Sequence, residues 1–166
     1  MKDHRRFSRL KFGWPHPPFN IVLVEPEIPP NTGNIARLCA ATGTHLHLVG
    51  QLGFRLNNAK LKRAGLDYWP AVKLRQHADL GAIIEPTEGR RFFLFSTAGA
   101  KSYLSVAYQP GDYLIFGSES RGLSDALLAK YPESVLGIPI QCDHVRSLNL
   151  ATAAGIVLYE ALRQTQ

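Results

Sequence analysis

The pattern of apolar and polar positions shows two kinds of segment that alternate along the chain. Stretches with helical spacing separate short, β-rich apolar runs of the kind that form buried strands. Strands that alternate with helices predict an α/β fold, with a mostly parallel sheet and helices on both of its faces. The predicted strands are FNIVLVE (19–25), THLHLVG (44–50), RRFFLFST (90–97), DYLIFG (112–117), VLGIPI (135–140) and, more weakly, WPAVKLR (69–75), and the predicted helices cover residues 31–42, 57–66, 76–84, 124–130 and 149–164.

The chain length and charge distribution predict a single domain with a basic extension. The 166 residues are 45% hydrophobic, which is enough for one core. The formal charge is +6, and residues 1–11 hold five Lys or Arg against a single Asp. We therefore divide the chain into a flexible basic extension (1–18) and one domain (19–166). The extension either contacts phosphate groups or remains a solvated arm.

The sequence predicts a cytoplasmic protein. No apolar run reaches the ~18 residues that a membrane span requires, and the basic N-terminus is not followed by the apolar segment of a secretory signal. A short transit peptide stays open as an alternative. Cys39 and Cys142 lie far apart and form no disulfide framework, which fits a reducing compartment.

The first predicted helix carries an isolated cation. The chain has no G-x-G-x-x-G turn and no P-loop lysine, so a ligand must be held in another way. In PPNTGNIARLCAATG (29–43), Arg37 lies away from the apolar stripe and beside Asn34, and Asn31 is placed to cap free backbone N–H groups. Such a helix start suits an anion or a ribose phosphate. The alternative is an arginine that pairs with a carboxylate at a packed surface.

Two further loops bring polar residues to the ends of predicted strands. GSESRGLSDALL (117–128) carries Glu119 and Arg121, with Ser124 as a predicted helix cap. The loop after VLGIPI delivers Arg146, Ser147 and Asn149. Open parallel sheets hold ligands at the carboxyl ends of their strands, although Gly and Ser are also common in ordinary turns.

The last predicted helix is apolar almost all round. Ala151, Gly155, Leu158 and Leu162 form one strip with two small residues at its start. Small residues allow another helix to approach closely. The strip therefore predicts either a buried helix or a subunit interface.

Four motifs follow one another along the chain: PEIPPNTGNIARLCAATG (26–43), KLKRAGLDYW (60–69), GDYLIFGSESRGL (111–123) and RSLNLATAAGIVLYEALRQ (146–164). Together they resemble the SPOUT class of RNA methyltransferases, and within it the small tRNA 2′-O-methyltransferases that modify the wobble ribose. The resemblance covers residues 20–164. It implies a sheet whose C-terminal segment forms a trefoil knot, a homodimer through the C-terminal helix, and tRNA as partner. The chain departs from the family pattern in its tail, in Ala151-Thr152 and in QCDHV (141–145).

The resemblance also implies S-adenosyl-L-methionine as cofactor. Its methyl group is already activated on a sulfonium, so we expect no metal. We expect the cofactor to be bound at Phe95, Gly117, Ile138 and Ser147, largely through backbone groups of their loops.

In the implied mechanism, a ribose 2′-hydroxyl must be made more acidic and held in line with the methyl group. Arg37 stabilises the developing alkoxide, because a guanidinium stays charged. Asn31 and Asn149 supply neutral hydrogen bonds to the ribose or phosphate. Glu119 either orients Arg37 or the neighbouring backbone, or receives the proton itself.

Cations beside aromatic residues predict contacts with RNA. Lys60, Lys62 and Arg63 precede Tyr68 and Trp69 in KLKRAGLDYW, a combination that suits single-stranded RNA. The alternative is a solvated helix face followed by core aromatics. The other residues that we assign to RNA are Arg121 and Arg146.

Other functions remain possible at this point. Cys142 and His144 would share one face of a strand and could act as a nucleophile and its helper. A non-catalytic RNA-binding module of the same fold is a second alternative. A 2′-O-methyltransferase that acts on another RNA or another tRNA position is a third.

Overall fold

A computed structural model describes residues 10–56, 67–85 and 89–166. Within these residues the chain forms a seven-stranded sheet of order β3-β2-β1-β6-β4-β7-β5, in which all paired strands are parallel. The strands are β1 (Asn20–Val24), β2 (His45–Val49), β3 (Leu74–His77), β4 (Phe92–Phe95), β5 (Lys101–Ser102), β6 (Tyr113–Phe116) and β7 (Val135–Gly137), and the α-helices are α1 (Pro29–Thr42), α2 (Gly81–Ile84), α3 (Asp125–Lys130) and α4 (Leu150–Gln164).

Helices cover both faces of the sheet, which confirms the predicted α/β class. Side chains alternate along each strand, so that Ile21 and Leu23 pack on one face with α1 and α4. Val22 packs on the opposite face, in a core cluster that includes Ile83 of α2 and half-buried leucines of α3. The trefoil knot that the family resemblance implies stays a prediction.

Helix α1 begins two residues earlier than the sequence pattern indicated. Pro29 and Pro30 occupy the first helical positions, where proline is favoured because its missing N–H needs no partner there. Ile28 is the N-cap residue and makes no side-chain cap, so the prediction that Asn31 caps this helix is wrong. The side chain of Asn31 is therefore available for other contacts.

Three predicted elements differ from the structure. The predicted helix 76–84 is divided between the end of β3 and the short helix α2, and residues Trp69–Ala71 of the weaker predicted strand form a 3₁₀ helix. The strand predicted over 135–140 ends at Gly137. Strand β5 has only two residues and was not predicted. The predicted helix 57–66 lies outside the described residues.

A chain of polar side chains crosses the sheet from β3 to β1. The Asn20 amide nitrogen donates to the carbonyl of Gly111 (3.0 Å), so its oxygen is left to accept from His47 Nε2 (3.0 Å). Burial is the main reason that the pKa of His47 falls to about 4, so the ring is neutral at pH 7. In the neutral ring with its proton on Nε2, His47 Nδ1 accepts from His77 Nε2 at 2.9 Å.

The connector before β1 touches the end of the chain. Phe12 packs against the core, the backbone N–H of Gly13 donates to Gln166 Oε1 (3.3 Å), and Gln166 Nε2 donates to Gly13 O (3.0 Å). The flexibility of the extension stays a prediction. Among the described residues, no helix combines the length and apolarity that crossing a membrane requires.

Candidate active site

A cleft of about 610 Å³ lies at the carboxyl edge of the sheet. Its walls are the segments that follow β4, β6 and β7, together with the first residues of α1 and α4. The volume falls in the range of small-molecule sites. All four residues that the sequence assigned to the cofactor line it: Phe95, Gly117, Ile138 and Ser147.

Glu119 joins the loop after β6 to the start of α1. Its carboxylate accepts the backbone N–H groups of Glu27 (2.8 Å) and Ile28 (3.0 Å) and the side-chain amide of Asn31 (3.1 Å). The sequence left open whether Glu119 orients Arg37 or neighbouring backbone, and in the structure it contacts the backbone. Three N–H donors converge on this carboxylate and fix its orientation.

Asn31 and Asn149 continue this network toward α4. Asn31 Oδ1 accepts from Asn149 Nδ2 at 2.9 Å, and Asn149 Oδ1 caps α4 by accepting the N–H groups of Ala151 (2.9 Å) and Thr152 (3.3 Å). Each amide orientation follows from these partners. Each amide nitrogen also keeps one N–H for which the described residues provide no acceptor. Two such donors beside one cleft suit a ligand oxygen.

The sequence interpretation missed Glu27. Its carboxylate accepts the backbone N–H of Ser120 (2.9 Å) and the Ser120 hydroxyl (2.7 Å), which lower its pKa. Glu119 accepts the N–H of Glu27 in return, so the two loops exchange carboxylate-to-backbone hydrogen bonds. The available signal was an acidic residue two positions before a helix that begins with proline.

Backbone segments around the cleft pack unusually closely. A Cβ atom on Gly117 would lie 2.0 Å from the carbonyl carbon of Gly122, and one on Gly99 would lie 2.4 Å from that of Leu136. No side chain fits at such distances, so glycine is required at both positions. The cleft is therefore built by direct contact between neighbouring loops.

Two of the predicted RNA contacts lie at the cleft. Arg121 and Arg146 line it, and Arg121 also pairs with Glu25 at 3.4 Å. Glu25 has φ 49°, in the left-handed region that favours glycine. The remaining RNA assignments lie outside the described residues: Lys60, Lys62 and Arg63.

Arg37 does not line the cleft of its own chain. It is exposed on α1, and its guanidinium carbon lies 5.7 Å from the ring centroid of Tyr68, whose hydroxyl donates to Gly33 O (3.0 Å). Within the described residues no carboxylate pairs with it, so the alternative of a surface ion pair is not observed. Arg37 thus remains an exposed cation outside the network of Asn31 and Asn149.

The C-terminal helix has a buried side and an open side. Leu158 and Leu162 of the predicted strip are buried in this chain's own core, so the strip as a whole does not face outward. Tyr159 is 53% exposed, and a Cβ atom on Gly155 would meet nothing within 4 Å.

The two residues of the alternative nucleophile hypothesis do not form a pair. Cys142 and His144 are both exposed and share no hydrogen bond.

The all-parallel sheet and its cleft define an α/β protein that binds its ligand where several strands end. Residues 18–159 match the model of the SpoU rRNA methylase family. The chain belongs to this family, which agrees with the resemblance found in the sequence.

Relatives of known name are similar over nearly the whole chain. A tRNA (cytidine(34)-2′-O)-methyltransferase of Burkholderia pseudomallei is 48% identical over 88% of this chain and 95% of its own length. A solved structure described as giving insights into the 2-OH methylation of C/U34 on tRNA is 51% identical, covers 89% of this chain and 95% of its own, and has a TM-score of 0.81. An AdoMet-bound rRNA methyltransferase from Sinorhizobium meliloti is 27% identical over 89% of this chain and 57% of its own, with a TM-score of 0.76.

Proposed function

We propose that this protein transfers the methyl group of S-adenosyl-L-methionine to the ribose 2′-hydroxyl of nucleotide 34 of a tRNA. Two relatives named or described for that activity cover almost the full domain, at 48% and 51% identity. The observation that carries the proposal is the Glu119–Asn31–Asn149 network, which adjoins the four assigned cofactor residues in one cleft. We also infer that the protein acts in the cytoplasm, where tRNA substrates are available.

The cleft fits the cofactor. Its volume suits a nucleoside-sized ligand, and close loop packing at Gly117 presents backbone groups of the kind that the family uses. Phe95 and Ile138 supply apolar surface, and Ser147 a hydroxyl. When bound, the cofactor supplies an activated methyl group, which an oxygen can attack without a metal ion.

The amide groups at the cleft hold the substrate. Asn31 and Asn149 offer their unused N–H groups to ribose or phosphate oxygens, while Glu119 fixes the Asn31 amide and the backbone before α1. Because its oxygens already accept three N–H groups, we assign Glu119 to orientation rather than to proton transfer. Alignment of the two reactants is typically among the largest contributions to such a reaction.

Arg37 acts in the partner's cleft of a homodimer. Helices α1 and α4 pack together on one face of the sheet, so their exposed sides form a continuous surface that carries Arg37, Gly155 and Tyr159. When a second copy binds this surface, Arg37 of one subunit lies at the cleft of the other subunit, whereas it does not line the cleft of its own subunit. There the guanidinium stabilises the developing alkoxide.

The test is methyl transfer from tritiated S-adenosylmethionine to unmodified tRNAs, followed by mapping of the label. Label at the ribose of nucleotide 34 supports the proposal. Label at another tRNA position would replace the assigned nucleotide, label only in a parallel reaction with unmodified ribosomal RNA would replace the assigned substrate, and RNA binding without label would favour a non-catalytic module.

Mixed dimers test the placement of Arg37. Arg37→Ala and Asn149→Ala should each be inactive, but a mixture of the two that has exchanged subunits should regain roughly a quarter of wild-type activity, because each heterodimer contains one complete site. An Arg37 that acts within its own chain predicts no recovery. Gly155→Leu, which meets no obstacle in the isolated chain, should give a monomer in analytical ultracentrifugation that cannot complement.

A further inference from the structure

Basic side chains gather around the edge strand β3, far from the cleft. We call His45, Lys73, Arg75, His77 and Arg90 the β3 basic cluster. Arg75 is the register partner of His47, so both side chains lie on the same face of the sheet, and Lys73 directly precedes β3. The positive charges of Lys73 and Arg75 help to lower the pKa of His45, and those of Arg75 and Arg90 help to lower the pKa of His77, beside the larger effect of burial.

Two exposed cations of the β3 basic cluster lack the carboxylate partners that several other described cations have. Arg91, Arg121 and Lys130 each pair with a carboxylate. In the described part of the chain, neither Lys73 nor Arg75 has an ion pair, and both are exposed. Asp79 contributes an opposing negative charge at His77. Neighbouring like charges are unfavourable in the free protein, and an anionic partner would relieve this repulsion.

One arginine of the cluster is held in place. The Arg90 guanidinium lies over the Tyr113 ring, 5.0 Å from its centroid, and donates to the carbonyl of Ile83. Its neighbour Arg91 is fixed by Asp112 at 2.8 Å and by the carbonyl of Ala107 at 2.7 Å. These two arginines line a hollow of about 360 Å³ at the amino edge of the sheet. The cluster therefore combines a positioned guanidinium with exposed cations along the edge strand.

We propose that the β3 basic cluster binds the phosphate backbone of the RNA substrate at a distance from the reacting ribose. This inference rests on the proposed function. β3 is three strands away from β6, roughly 14 Å at about 4.8 Å per strand, and the five-residue strand β1 is roughly 16 Å long. A nucleic acid strand carries a phosphate about every 3.4 Å of duplex axis, so roughly six nucleotides span the diagonal between these two distances. An RNA that places one ribose in the cleft can therefore reach the opposite edge of the sheet with its neighbouring nucleotides.

The test compares two double variants with the same change of charge. Lys73→Gln with Arg75→Gln removes two cluster cations, and the control, Lys101→Gln with Lys130→Gln, removes two cations that pair with Glu133 and Glu85. We expect the cluster variant to raise the KM for tRNA about tenfold and to flatten the slope of log affinity against log salt by about 1.4–1.8, at 0.7–0.9 per phosphate. Its kcat at saturating tRNA should not change, and the control should resemble the wild type.

The outcome separates this inference from the proposed function. Wild-type protein that transfers no methyl group to tRNA would contradict the proposed function. Wild-type protein that methylates tRNA, with a cluster variant whose salt slope and KM equal those of the control, would overturn the cluster as an RNA contact. Thermal unfolding of both variants checks that neither loses the fold.

Discussion

The two ends of the same sheet carry opposite kinds of polar chemistry. At the carboxyl edge, Glu119 and Asn31 are connected to one another and to backbone N–H groups, so their positions are fixed before any ligand arrives. At the other end and along β3, Lys73 and Arg75 are exposed and lack carboxylate partners within the described residues.

The difference indicates two forms of recognition. A small ligand whose reacting atoms must be aligned needs donors and acceptors that do not move, and a closed hydrogen-bond network provides this. A long polyanion needs only positive charge at suitable intervals, which exposed cations without carboxylate partners provide. We therefore expect changes at the carboxyl edge to alter the chemical step and changes at the other end to alter stability or RNA affinity.

Among the changes that test this comparison, the largest expected effect is at Glu119. Glu119→Gln removes the charge and turns one acceptor oxygen into a donor that faces the N–H groups of Glu27 or Ile28. Charge-assisted hydrogen bonds contribute about 1.5–3 kcal/mol each, so the methyl-transfer rate should fall about a hundredfold or more. Single-turnover kinetics measures this rate, with the exposed Glu133→Gln as control. A loss of less than about fivefold would contradict the assigned role.

The next effect concerns stability at the buried histidine. The pKa of His47 is about 4 in the folded protein, against an ordinary value of 6.5. The unfolded chain therefore takes up the proton first, and the free energy of unfolding should decrease as the pH falls from 6.5 toward 4, by up to about 3 kcal/mol. Urea unfolding of wild type and His47→Gln measures this dependence.

His47→Gln cannot titrate, so its stability should depend less steeply on pH over this range. The exposed His144→Gln serves as the control and should retain the wild-type dependence. Equal dependence in wild type and His47→Gln would show that the polar chain across β1–β3 does not govern acid stability.

A smaller effect is expected at Glu27, which connects the same two loops from the other side. Glu27→Gln should lower kcat about tenfold, since it weakens one charge-assisted contact and leaves Glu119 in place. Ser120→Ala, which removes the hydroxyl but keeps the backbone N–H, should cost less. A larger loss of activity in Glu27→Gln than in Glu119→Gln would contradict the assignment of Glu119 as the more important connection between the two loops.

The smallest effect is expected at Cys142. Cys142 and His144 are exposed and not hydrogen-bonded to each other, so Cys142→Ser should change turnover by less than about twofold. A hundredfold loss would instead restore the hypothesis of a cysteine nucleophile.

The sequence located the buried parts of the sheet and lost precision at its edges. β1, β2, β4 and β6 were predicted because their apolar runs are buried between two helical layers. The edge strand β3 has two exposed residues between two half-buried ones, which is not the alternation typical of a strand, so part of it was assigned to a helix. β5, at the other edge, has only two residues and carries no usable pattern.

The site residues were recognised by resemblance, but their connections were not. Asn31 was assigned as a cap because the pattern placed the helix start after the two prolines. Its actual partners, Glu119 and Asn149, lie 88 and 118 residues further along the chain. Local spacing carries no information about such contacts, and Glu27 was missed for the same reason.

These long sequence separations also affect how the protein folds during its synthesis. Asn31 and Asn149 are 118 residues apart, so at a synthesis rate of about 5–20 residues per second the second leaves the ribosome roughly 6–24 s after the first. Strand β1 cannot pair with β6, and α1 cannot pack against α4, until these later elements have been synthesised. The nascent chain must therefore carry exposed apolar faces until translation is nearly complete, and a ribosome that stalls before α4 releases a product with its core open to chaperones and proteases.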